Sequence, residues 1–145
     1  MLRVGAILLS LWTGFNLVLA LGILFMLLVL GKNAPALLIL YGDLHAQGMD
    51  PRALATINAL AVMFNACAAS ICALSLTMIW LAVVRKTRWA FCCLAGCLAF
   101  LQAAGFASDI FLGNRDLFMN AASSLLLLCG LFFAGVAIFY VGEKA

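Results

Sequence analysis

Apolar positions dominate this chain in four long runs, and polar positions fall almost entirely in the gaps between them. The runs are Val4–Leu30, Ala53–Val84, Trp89–Leu112 and Leu117–Val141. Each holds more than the ~20 apolar residues that a helix needs to cross a bilayer. Only helices or closed barrels satisfy their backbone inside lipid, and runs of this length predict helices. The expected fold is an all-α integral membrane protein, a single four-helix domain over residues 1–145 with up-down-up-down connections. The links at 85–88 and 113–116 are too short for anything but antiparallel hairpins.

The first inter-helix segment is the only one long enough to carry structure of its own. Lys32-Asn33-Ala34-Pro35 offers an N-cap and a first-turn proline, apolar Ala36–Tyr41 follows, and Gly42 stops the run. This predicts a short interfacial helix on the outer side. Asp50-Pro51 is a second strong helix start: Asp caps, and Pro occupies a position whose N–H has no partner in any case.

Composition agrees with the pattern. Of 145 residues, 68% are hydrophobic and 9% charged, too little polar surface for a soluble domain. The net charge of +3 is divided among short loops and ends, with no basic stripe for nucleic acid. The run after Arg3 continues past Leu19-Ala20-Leu21 to Leu30 with no small-residue cleavage site, so it is expected to stay as a first span.

Charge also orients the helices. Arg85, Lys86 and Arg88 fill the second link without an acid, and Arg3 and Lys144 fall on the same side of an even number of spans. Cytoplasmic loops are enriched in Lys and Arg. Both termini are therefore expected in the cytoplasm, in a plasma or bacterial inner membrane. Trp80, Trp89 and Tyr140 on that side, with Tyr41 opposite, suit interfacial belts. The outer side receives Lys32, Arg52 and Arg115, four of the five acids, and His45.

Candidate chemistry is sparse. All six cysteines, Cys67, Cys72, Cys92, Cys93, Cys97 and Cys129, lie inside the runs. None forms a Cys-x-x-Cys pair, and free Cys is a small apolar residue that fits between helices. Asp43, His45 and Asp109 make an outer-face acid and histidine set, yet one His without a second ligand at helical spacing is a weak metal or acid–base signal. No metal site and no cofactor is expected, and no catalytic motif is present.

Polar side chains inside spans tend to face the bundle interior or a cavity. Counted up from the cytoplasmic charges, Asn16 and Gln102 fall at a depth of ~20 Å, while Asn65 and Ser124 fall at ~30 Å, at ~1.5 Å per residue. These four are expected either to lock helix register or to line a pocket opening outward. Ala95, Ala99, Ala103 and Ala107 repeat every fourth residue and predict a close helix contact, as do Ala61, Ala69 and Ala73 in the second run and Gly130 and Ala134 in the fourth.

Three functions compete. The first is a non-enzymatic membrane subunit that binds a protein partner or a second copy of itself. The second is a carrier of a small molecule or lipid using the polar pocket. The third is a membrane enzyme acting on a lipid-soluble substrate through Asp43, His45 and Asp109. Short loops and a nearly charge-free interior favour the first.

Overall fold

The computed structural model describes residues 1–37, 48–111 and 117–140; the side chains of residues 32, 108, 109, 111 and 117–119 lie outside that description. All regular structure among the described residues is helical. Four helices carry it: α1 (Leu2–Leu30), α2 (Pro51–Met78, continued by a π-helical turn at Ile79–Val83), α3 (Arg88–Phe111) and α4 (Leu117–Phe139). All four are long and apolar enough to cross a membrane.

Helix ends follow local chemistry. Gly31, at φ +54°, closes α1 in the left-handed conformation that costs glycine nothing. A 3₁₀ turn, Gly31–Asn33, follows, and Ala34 N–H donates to the Gly31 carbonyl at 3.1 Å. Pro51 opens α2, and the Asp50 carbonyl accepts its first bond from Leu54 N–H at 3.1 Å. At the other end of α2 the chain reverses within Arg85-Lys86-Thr87. Thr87 N–H reaches back five residues to the Ala82 carbonyl at 2.9 Å, and Lys86 takes φ +53°. The interfacial helix expected at Ala36–Tyr41 lies mostly outside the described residues, as does the link Gly113–Asp116; Pro35–Leu37 are helical.

The chain divides into two compact units: Met1–Phe15 with Cys72–Ala145, and Asn16–Ile71. In the first, the start of α1, the end of α2, α3 and α4 share one core. Leu9, Trp12, Ile79, Val83, Leu98 and Ile138 are its fully buried large side chains. Close backbone approach joins α1 to α4. A Cβ built on Gly5 would stand 2.5 Å from the Ala134 nitrogen, and one on Gly130 would stand 2.9 Å from Leu9 Cδ2. Gly5 meeting Ala134 while Leu9 meets Gly130 makes the two helices antiparallel. Glycine and alanine at these positions bring the axes together, which raises dispersion contact where lipid offers no hydrophobic drive.

In the second unit, Leu27, Ala34, Leu37 and Ala61 form the core, with Ile23, Ile57 and Val62 against it. The buried seam of α2, Leu54, Ala61, Asn65 and Ala69, keeps to helical spacing. Ala73, expected in the same row, belongs to the first unit and is exposed.

The alanine row of α3 requires a correction. Ala95 is half-buried, and Ala99, Ala103 and Ala107 are exposed, with nothing within 4 Å of a Cβ built on Gly96 beside them. The buried face of α3 is Ala90, Phe91, Leu94 and Leu98. Gln102, one turn beyond Leu98, continues this arc half-buried, and its amide bonds to α4.

Candidate functional site

A polar side chain in a spanning helix has two cheap solutions: bond its own helix, or bond a neighbour. Both occur here. Thr13 Oγ1 donates to the Leu9 carbonyl at 2.7 Å, and Asn65 Nδ2 donates to the Ala61 carbonyl at 2.9 Å. Thr56, Ser70 and Thr77 likewise donate to the carbonyl four residues earlier.

The second solution builds a network across three helices of the first unit. Gln102 Nε2 on α3 donates to Ser124 Oγ on α4 at 2.8 Å, and more distantly to the Asn120 carbonyl at 3.5 Å. Ser123 Oγ returns a bond to Gln102 Oε1 at 3.3 Å. Trp12 Nε1 on α1 donates to Ser123 Oγ at 2.8 Å. A half-buried amide, two hydroxyls and an indole thus satisfy one another, and Trp12 is only 1% exposed.

Of the four expected pocket residues, Gln102 and Ser124 meet directly, whereas Asn16 and Asn65 belong to the second unit. The two-level arrangement expected for Gln102 and Ser124 is also corrected. The fourth helix ends at Phe139, short of Lys144. Measured from Arg88 and Phe139, both residues stand about 20 Å along their helices at ~1.5 Å per residue. Asn65 is buried with its amide turned to its own helix, Asn16 is half-buried, and the Asn58 Oδ1 atom is buried without a partner.

Trp12 and Ser123 were not singled out by sequence reasoning. The available signal was the donor-only indole of Trp12 deep in a span, which needs an acceptor from a neighbouring helix. Asp43 and His45, and the side chain of Asp109, lie outside the described residues. Among the described residues no three His, Cys, Asp or Glu side chains gather as a metal set. Cys67, Cys92, Cys93 and Cys97 are exposed, Cys129 is half-buried and Cys72 is buried, all as free thiols.

The basic end of the first unit is organised by aromatic contacts. The Arg88 guanidinium sits 5.7 Å from the centre of the Phe139 ring, and Phe139 meets Phe91 edge to face at 6.2 Å. A cation over a ring face is attracted by its quadrupole, so the first residue of α3 is held against the last of α4. Compared with known protein families, curated proteins and solved structures, the chain matches none.

Proposed function

We propose that this chain is a non-enzymatic subunit of a plasma or bacterial inner membrane. It forms one up-down-up-down four-helix domain with both termini in the cytoplasm and the interfacial helix at Ala36–Tyr41 outside. Its partner is a transmembrane helix, from another protein or from a second copy, seated on the outer face of α3. One observation carries this reading: the chain's own helices leave Gly96, Ala99, Ala103 and Ala107 exposed on one face of α3. Small residues at such spacing let two backbones approach closely, and that contact is the main source of helix association in lipid.

The polar residues favour the same reading over a carrier. Gln102 and Ser124, half of the expected pocket, spend their bonding capacity on each other and on Ser123. An interhelical lock of this kind contributes ~0.6 kcal/mol per bond and fixes register.

Photocrosslinking amino acids placed at Gly96 and Ala103 in native membranes test the partner. The expected result is a discrete adduct from both positions, lost when Ala99 is replaced by Leu, with the same detergent melting as the parent. Absence of any adduct from both positions would remove the subunit reading.

A further inference from the structure

A cavity of about 570 Å³ opens on the first unit, between the opening turns of α1 and the closing turns of α2. Leu2, Ala6, Ile7, Trp80 and Val84 line it, with Arg3 as the one charged lining residue among the described residues. On α1 the lining follows one stripe, at positions i, i+1, i+4 and i+5. On α2 it coincides with the π-helical turn, which directs Ile79, Ala82 and Val83 into the core and leaves Trp80 and Val84 facing out. Single π turns recur at functional positions because they re-aim side chains without ending the helix.

Three features define an occupant. The volume falls in the range of about 300–1,000 Å³ typical of small-molecule sites. The walls are apolar and exposed: Ile7, Trp80 and Val84 each keep about half of their surface open. A cavity of that kind on a spanning segment is entered from the hydrocarbon rather than from water. Third, the charge around it is of one sign among the described residues. Arg3, Arg85 and Lys86 are exposed, and the last two directly follow the wall residue Val84. The only acid with a described side chain is Asp50, at the opposite end of α2. Glu143 and Lys144 lie outside the described residues and carry opposite charges.

We propose that this groove holds an acyl chain of an anionic phospholipid, whose phosphate is met by Arg3 and Arg85. The guanidinium fork matches a phosphate with two parallel N–H bonds. An indole such as Trp80 sits at the headgroup level with its ring toward the acyl region. The proposal rests on the chain spanning a membrane, and it is independent of any partner on α3.

The experiment is native mass spectrometry of the detergent-solubilised full chain, given equal phosphatidylglycerol and phosphatidylcholine. The parent is expected to retain phosphatidylglycerol preferentially. Arg3→Gln should lower that preference about fivefold, the effect of one basic residue near an anionic surface, while Arg52→Gln at the far end of α2 leaves it unchanged. Ile7→Trp fills the groove from α1 and should displace both lipids; Val84→Trp does so from α2 and covers the case in which one variant fails to fold. Equal retention of the two lipids by the parent, equal behaviour of the two arginine variants, or full retention in both tryptophan variants overturns the proposal. Alkaline carbonate extraction of membranes separates the premise. Release of the chain removes the spanning reading and the groove together, whereas a chain that stays in the membrane without lipid preference removes only the groove.

Discussion

Gly5 and Gly14 sit nine residues apart on α1 and have opposite reasons to be glycine. At Gly5 the Ala134 backbone occupies the space a side chain needs, 2.5 Å from the built Cβ, whereas at Gly14 nothing lies within 4 Å. Gly5→Ala is therefore expected to force α1 and α4 apart and cost about 1–3 kcal/mol, the usual range for overpacking. Gly14→Ala should be neutral or stabilising by about 0.5–1 kcal/mol, since alanine loses less freedom in a helix. Thermal melting of both variants in one detergent checks the pair, and equal destabilisation would contradict the α1–α4 contact. Gln102→Leu tests the polar lock in the same assay. It leaves two hydroxyls and an indole to re-pair among themselves, so a modest loss of about 1–2 kcal/mol is expected. Collapse of the fold would mean that the network carries far more than register. Gly130 and Ala134 were legible as contact residues because small size in a spanning helix has few other uses. Trp12 was less legible, because an indole reads equally well as apolar bulk until its acceptor, Ser123, is found across 111 residues of sequence.

At the scale of elements, the helices announced themselves and their rotations did not. Hydropathy locates a span and Asp50-Pro51 starts α2, because those signals are local to the backbone. Which arc of α3 faces inward is decided by partners distant in sequence. Alanine every fourth residue says that a close neighbour is permitted; it does not say whether that neighbour belongs to the same chain. Phe91, Leu94 and Leu98, backed by Gln102, form the inner face instead. The depth expected for Ser124 differs for a related reason: it counts rise from Lys144, whereas α4 ends at Phe139. The rotation of α3 makes a paired prediction. Leu98→Ala, at a fully buried position, should cost about 2–5 kcal/mol through the cavity it leaves. Ala103→Leu, on the exposed arc, should leave the melting of the isolated chain unchanged. A larger loss from Ala103→Leu than from Leu98→Ala in the monomer would reverse the assigned faces.

For the whole molecule, orientation in the membrane follows from where charge collects. Contacts within the first unit place Arg3, through its groove with Trp80 and Val84, at the same end as Arg85 and Lys86. Arg88 joins that end over the Phe139 ring. On the proposed topology, with Lys144 counted there, this side holds five of the eight basic residues, against Lys32, Arg52 and Arg115 on the other. Basic residues in short loops resist translocation, so the proposed topology keeps this end in the cytoplasm. A phosphatase reporter, active only outside the cytoplasm, should be silent when fused after Thr87 and active when fused after Asn114; the opposite pattern would invert the topology. The margin is small, and that gives a sharper test. Replacing Arg85, Lys86 and Arg88 by Gln leaves two basic residues on the inner side against three on the outer. The variant is expected to insert in both orientations, with activity appearing at both fusion sites. If its orientation stays as uniform as the parent's, the charges of the second link do not set the topology.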